Sequence, residues 1–430
     1  MSAPFEAVSV LPAAESGFTL LDRSLRTRLL NQMRALRACR LTIIDALGTT
    51  TLGTANTDGT DTLAATLVVH SSAFYRAVAT NGSVGAGESY IDGEWECDDL
   101  VALMRMLVRN RNLLDAMETG LARLGGWAMR AWYTLRRNTR RGSRENISAH
   151  YDLGNEFFRL FLDDNLMYSS AAFASADESL ESASLRKLDR ICRKLALTPG
   201  DRVIEIGSGW GGFALHAARN FGCHVTTTTI SRAQYDLARE RIAAAGLSER
   251  IDVRLEDYRD LEGRYDKLVS IEMVEAIGHQ YLDTYFAKVG TLLEPDGMAL
   301  IQAITIEDHR YAQALRAVDF IKRHVFPGSF IPSISAMLGS ASRSSDLKLF
   351  NLEDIGPSYA QTLAAWHERF ERARPRVRAL GYDETFMRLW DFYLAYCEGG
   401  FRERSTGCVQ MLLSKPGSRR PQFLPDCGQA

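Results

Sequence analysis

VIEIGSGWGG, residues 203–212, runs from an apolar strand into Gly207, Gly209 and Gly211 at alternate positions, with Glu205 inside the strand. Glycine lets the backbone turn sharply and bring its N–H groups close to a ligand at a helix N-terminus. Gly207, Gly209 and Gly212 also satisfy the dinucleotide pattern G-x-G-x-x-G. Two features argue against a nicotinamide dinucleotide. Glu205 lies two residues before the first glycine, where a carboxylate can take the ammonium of a bound amino acid. The second strand, VTTTTIS, lacks the terminal acid expected to hold an adenosine ribose, and Gln234 could serve the ribose instead. These features favour S-adenosylmethionine, a purely structural glycine turn being the alternative.

Outward from this turn the chain alternates. DRVIEIG, HVTTTTI, IDVRLE, YDKLVSIEM and GMALIQAITI read as strands, with helical patterning after Trp210 and over RAQYDLARERIAAAG. Strands separated by helices imply a parallel sheet covered on both faces. CVQMLLSK reads as the last strand, and 306–350, without strand signal, as an insertion. Upstream, Thr19 and Asp22 have capping-box spacing, and Leu21, Leu25, Leu29, Met33 and Leu36 follow a helical period. LTIIDALG and TLAATLVVH read as a small sheet, and 71–120 returns to helix. Arginines 130, 136, 137, 140, 141 and 144, interleaved with Trp127, Trp132 and Tyr133, mark either a solvated linker or a segment suited to anionic headgroups. The organisation expected is a flexible tail over 1–18, an α+β domain over 19–125, and a basic linker over 126–147. A catalytic domain over 148–416 and a tail over 417–430 follow.

With 430 residues the chain suits two or three domains. A net charge of −2 argues against a general nucleic-acid binder. Seven scattered cysteines without a C-x-x-C pair suit reduced thiols in a cytoplasmic protein, and the eight histidines show no metal-ligand spacing. No signal peptide and no apolar run of about 20 residues is read, so the expected location is the cytoplasm, with at most peripheral contact with a membrane.

Several ordered blocks resemble the cyclopropane fatty acid synthase family, including the mycolic acid cyclopropane synthases. They are SAHYDLGNEFFRLFLD, MYSSAAF, VIEIGSGWGGFA, TISRAQ, LEDYRDL, VSIEMVEAIGHQYLDTYF, FIKRHVFPGSFIPS, YAQTLAAWHERF and FYLAYCEGGFRER. The resemblance covers about residues 60–416, and GSVGAGESYIDGEWECDDL resembles the N-terminal domain of longer members. It implies a class I S-adenosylmethionine-dependent methyltransferase: an α/β, Rossmann-like fold with a seven-stranded, mostly parallel sheet and a smaller α+β N-terminal domain. The implied reaction adds carbon to the cis double bond of an unsaturated phospholipid acyl chain, giving a cyclopropane. A homodimer and an anionic membrane surface are further implied partners.

Carried over by position, the cofactor site comprises Tyr168, Ser169, Glu205, Gly207, Gly209, Gly211, Thr229, Gln234, Glu256 and Asp257. Methylation of an alkene leaves a carbocation, so the pocket must be dry and able to stabilise positive charge. Phe173, Tyr359, Tyr393 and Phe401 offer aromatic faces. A base must then remove a proton from the new methyl group. In the family that base is bicarbonate, and Glu275, Tyr359, Ser170, Gln302 and Ile304 match the positions around it. Ser170 stands where many members have cysteine, and Gln302 where many have histidine; both keep hydrogen-bonding capacity. A changed base environment could divert the cation to a methylene- or methyl-branched chain. Another lipid or an amine as acceptor is the remaining alternative.

Overall fold

The computed structural model describes residues 18–54, 62–112 and 153–421. The basic stretch 126–147, the tail before Phe18 and most of the C-terminal tail lie outside the described residues. The chain divides into two compact units. The first comprises Met1–Thr134, Ala317–Val325 and Glu371–Ser405; the second comprises Leu135–Arg316, Phe326–Phe370 and Thr406–Ala430. Two segments that the sequence places within a continuous catalytic domain thus build the smaller unit. Helical periodicity shows that a face is buried but not what covers it.

In the first unit, helix α1 (Leu20–Met33) opens on the expected capping box of Thr19 and Asp22. Its inward face differs from the leucine stripe read in the sequence. Asp22 is buried against Ser72 and Arg76, and Leu29, Leu30 and Met33 follow it inward, which leaves Leu21 exposed. A four-stranded sheet follows, built from β1 (Cys39–Asp45), β2 (Gly48–Leu52), β3 (Leu63–Val69) and β4 (Trp95–Cys97) in the order β2-β1-β3-β4. Buried residues alternate along β1 and β3, the period-2 signature of a half-buried sheet. Helices α2 (Ala73–Ile91) and α3 (Leu100–Arg109) pack with the helix Glu384–Arg402, where Gly399 lies directly on Met104.

The second unit holds the sheet announced by the alternating pattern. Its strands are β5 (Arg202–Ile206), β6 (His224–Thr229), β7 (Ile251–Leu255), β8 (Tyr265–Ile271), β9 (Leu293–Ile306), β10 (Lys348–Asp354) and β11 (Thr406–Ser414). Their order is β10-β11-β9-β8-β5-β6-β7. The five strands β7, β6, β5, β8 and β9 run parallel, while β11 is antiparallel to β9 and β10 to β11. Strand β10 begins inside the segment read as strandless. Its burial pattern is indistinct, as suits a sheet edge.

Alternate residues of each strand enter two separate cores. Ile204, Leu268, Ile301 and Met411 join one, and Val203, Val269, Leu300 and Leu412 the other. Each fully buried aliphatic side chain contributes ~1.5–3 kcal/mol. The second core is completed by α4 (Leu180–Leu195), through Leu188, Ile191, Cys192 and Leu195, and by α5 (Gly212–Phe221). By the same alternation Glu205, Thr227, Gln302 and Gln410 belong to this second face, so a polar row crosses an otherwise apolar layer.

Strand order reverses between β5 and β8, and in open α/β sheets ligands bind at the carboxyl ends of the strands at such a switch point. The glycine turn leaves β5 there. Gly207, Gly209 and Gly211 all have positive φ, at 95°, 49° and 85°. A Cβ on Gly207 would approach Met273 Cγ to 3.1 Å in a backbone conformation that L-residues resist. Gly207→Ala is expected to cost ~1–2 kcal/mol of stability. It should also weaken S-adenosylhomocysteine binding at least about tenfold, checked by thermal denaturation and calorimetry.

Candidate active site

Helix α4 supplies the site's lysine. Lys187 lies on the same stripe as Ser184, Leu188 and Ile191, so its stem packs in the core, and its Nζ donates to Ser169 Oγ at 2.7 Å. Burial pulls its pKa down to about 8, against the raising influence of Glu272, Asp163, Cys408 and Glu205. Glu205 is buried too, and accepts from Thr227 Oγ1 at 2.6 Å across the β5–β6 pair. Burial pushes its pKa up to about 8 despite Thr227 and Lys187.

Glu272, which follows β8, is the hub of the arrangement. Its Oε2 accepts from the Tyr359 hydroxyl at 2.7 Å. Its Oε1 accepts from Gln302 Nε2 at 2.8 Å and from the Ser170 backbone N–H at 2.9 Å, with Cys408 Sγ at 3.6 Å. The residue adopts φ 50°, a left-handed conformation that costs a side-chain-bearing residue ~1 kcal/mol. Burial raises its pKa; the Gln302, Tyr359 and Ser170 donors and Lys187 act in the opposite direction.

The orientation of Gln302 is dictated from a distance. Lys194 can only donate, and its Nζ meets Gln410 Oε1 at 2.7 Å. Gln410 must therefore turn its amide nitrogen to Gln302 Oε1, at 3.0 Å, which leaves the Gln302 nitrogen for Glu272. The far end is anchored by Glu353, which takes both Lys194 and Arg190. Amide orientations are normally ambiguous, but a donor-only terminus makes this chain one-directional.

Glu275 lies three residues beyond Glu272. Its Oε1 accepts from the Ile304 N–H at 2.5 Å, while its Oε2 is shut off from solvent without a partner among the described residues. Burial, followed by the charge of Glu272, pushes its pKa up to about 8, so it is chiefly protonated at neutrality. Of the residues matched to a bicarbonate site, Tyr359, Gln302 and the Ser170 backbone converge on Glu272, and Ile304 meets Glu275. The Ser170 hydroxyl turns away and donates to the Ala171 carbonyl. Tyr359 and Glu275 therefore do not form a direct pair.

Of the expected cofactor residues, the glycines follow β5, Thr229 ends β6, and Glu256 and Asp257 follow β7. Gly207 and Ser208 donate their N–H groups to the Thr228 carbonyl. Thr229 Oγ1 donates to Gln234 Oε1 at 2.8 Å, and the Glu256 N–H donates to the Thr229 carbonyl at 3.1 Å, both at the end of β6. Asp257 caps the following turn and is gripped by the Arg259 guanidinium at 2.8 and 2.6 Å. Tyr168 sits in an aromatic cluster, 5.3 Å from both Phe158 and Trp366 between ring centroids. Of the four aromatics suggested for cation stabilisation, Phe173 and Tyr359 belong to the unit holding this site, and Tyr393 and Phe401 to the other.

Residues 138–411 match the family model described as mycolic acid cyclopropane synthetase. The chain belongs to this cyclopropane synthase family. It is 36% identical over 377 residues to the tuberculostearic acid methyltransferase UfaA1 of Mycobacterium tuberculosis, covering 85% of this chain and 86% of that one. Its identity to the cyclopropane-fatty-acyl-phospholipid synthase of Escherichia coli K12 is 37% over 354 residues, covering 80% and 86%. The solved mycolic acid cyclopropane synthase CmaA1, complexed with SAH and CTAB, superposes with a TM-score of 0.59 at 29% identity. That match covers 63% of this chain and 98% of the other. The enzyme is an S-adenosylmethionine-dependent methyltransferase of lipid-modifying type, with the Rossmann-like sheet the sequence implied.

Sequence reading passed over Glu272, Lys187, Gln410 and Lys194. Signals for three of them existed: an acid ending the apolar strand YDKLVSI, and two lysines on the apolar stripe of α4. The electrostatics give a pH test. A Glu205 carboxyl near 8 must ionise to receive an ammonium, whereas the ligand's amino group loses its charge above about 8. Affinity for S-adenosylhomocysteine should therefore rise roughly tenfold from about pH 6.5 to about 7.5 and peak near about 8. Calorimetry in two buffers of different ionisation enthalpy should register proton release on binding at the lower pH.

Proposed function

We propose that the enzyme transfers a one-carbon unit to the cis double bond of an unsaturated phospholipid acyl chain and forms a cyclopropane. S-Adenosylmethionine fits the glycine turn: Glu205 is a buried acid with one hydrogen-bond donor where the ligand's ammonium would sit, and Tyr168 adds an aromatic wall. When bound, it supplies an electrophilic methyl group and a positive charge. The observation that carries the reading is the gathering of Glu205, Glu272 and Glu275 at the ends of β5 and β8, an excess of buried acid suited to cationic ligand and reaction centres.

The residues have distinct tasks in this reading. Glu205 orients the cofactor through its amino group. Tyr359 offers a ring and a hydroxyl fixed on Glu272, and Glu275, neutral at pH 7, holds the Ile304 strand in register. Bicarbonate, implied by the resemblance as base, does not fit this chain. The donors that would hold it are engaged by the Glu272 and Glu275 carboxyl groups, so no step is assigned to it.

A second product is favoured by one observation: a protein carboxylate stands where the family reading expects a captured anion. Proton loss in such a changed environment leaves a methylene branch, which a separate reduction by a hydride donor would turn into a methyl branch, and a similar relative is named for tuberculostearic acid. Anionic membrane contact, a cytoplasmic location and dimerisation belong to the proposal. No described helix is long and apolar enough to cross a membrane. Vesicle sedimentation should show binding that grows with anionic lipid and falls with salt.

The test of the reaction is mass spectrometry of lipids from cells expressing the protein. Unsaturated acyl chains should gain a methylene mass, with NMR separating ring from branch. Glu275→Ala leaves the Ile304 N–H without its acceptor and should lower product about tenfold or more. Unchanged lipid profiles in cells with soluble, cofactor-binding protein would sink the proposal.

A further inference from the structure

We infer that Glu272 is itself the base of the reaction, a resident carboxylate in place of a captured anion. The inference rests on the alkene-alkylation reading and deepens it.

Four observations converge on Glu272. Its carboxylate receives Tyr359, Gln302 and Ser170 N–H at 2.7, 2.8 and 2.9 Å, three donors on a planar O–C–O group. A carboxylate has the same acceptor geometry as bicarbonate and needs no recruitment from solution. The one-directional chain from Lys194 through Gln410 to Gln302 ends in a donor, so whatever lies beyond it must accept. Glu272 holds a left-handed φ of 50° at the end of β8, a backbone outlier placed at the strand end that faces the site. Glu275 lacks this arrangement, because its donor among the described residues is the Ile304 N–H and none of the three groups that gather on Glu272 reaches it.

The step balances without a further reactant. The alkene π pair forms a bond to the transferred methyl carbon as the carbon–sulfur bond breaks, and its electrons stay on sulfur. Glu272 then takes one proton from that methyl group. The released C–H pair closes onto the cationic carbon as the third ring bond, or, after a 1,2-hydride shift has moved the positive charge to the methyl-bearing carbon, becomes the π bond of a methylene branch. Glu272 is left as the neutral acid and returns its proton to water as product leaves.

The test uses the full-length protein, S-adenosylmethionine and dioleoylphosphatidylglycerol vesicles, in carbon-dioxide-depleted buffer with and without added bicarbonate. Product is read as lipid gaining a methylene mass. Wild-type turnover should change less than about twofold on adding bicarbonate. Glu272→Gly, whose glycine suits the positive φ, should lose at least about a hundredfold and regain a tenth or more of that loss with bicarbonate. Glu272→Gln fills the same space without a basic oxygen, and should stay inactive in both buffers while binding S-adenosylhomocysteine normally. Wild-type product that requires bicarbonate, or a Glu272→Gln variant retaining more than about a tenth of the activity, overturns the inference and leaves the alkylation reading standing. No lipid product from the wild type in either buffer overturns that reading, and the inference falls with it.

Discussion

Glu205, Glu272 and Glu275 bring three carboxyl groups to the ends of two neighbouring parallel strands, with the Lys187 ammonium buried among them. Burying ionised acids is costly unless each is paired or neutralised, and the site uses both devices. Glu205 and Glu275 hold their protons to about pH 8, while Glu272 gathers three donors. The Glu272 carboxylate and the Lys187 ammonium then offset one another. A cationic cosubstrate bound at the glycine turn would favour ionisation of Glu205, so cofactor binding and acid ionisation are linked.

The sheet makes this concentration of charge possible. Parallel strands buried on both faces read as continuous apolar runs, and a polar residue within one is exceptional. Glu205, Thr227, Gln302 and Gln410 are such exceptions, and they fall on one face, in the cross-strand pairs Glu205–Thr227 and Gln302–Gln410. Helix α4 covers that face and carries Lys187 and Lys194 two turns apart, one toward Ser169 and the other toward Gln410. Glu205, Thr227, Gln302 and Gln410 each thereby meet a partner of the right sense.

Much of this organisation was legible in the sequence. The alternating apolar runs specify the parallel sheet, and the glycine turn marks its switch point, because both depend on local periodicity and backbone freedom. Strand β10 was not legible: an edge strand with one open side leaves no clear pattern. The membership of 317–325 and 371–405 in the smaller unit was hidden for a different reason, since a helix's apolar stripe does not name its partner. At the site, position alone groups Glu275 with Tyr359, whereas the structure sets Tyr359 on Glu272 and Glu275 on the Ile304 N–H. Tyr359 meets Glu272 because the chain turns through a positive φ after Ile271, and one-dimensional spacing carries no trace of that turn. Asp257 shows the same limit, being held by its own neighbour Arg259.

A resident base changes the demands on the pocket. A captured anion can leave with its proton, whereas Glu272 is tethered and must be deprotonated in place before each turnover. The donors that hold the carboxylate help here, since hydrogen bonds to the charged form lower the pKa that burial raises. The same donors limit how strong a base it can be, so proton abstraction must draw on the acidity of a methyl group beside a carbocation. That acidity is high, and a weak, fixed carboxylate suffices where a free one would be excluded from a dry cavity. What the tether adds is position: the base occupies its place whenever the pocket is filled, and the proton's departure becomes coupled to the step that readmits water, release of the modified chain.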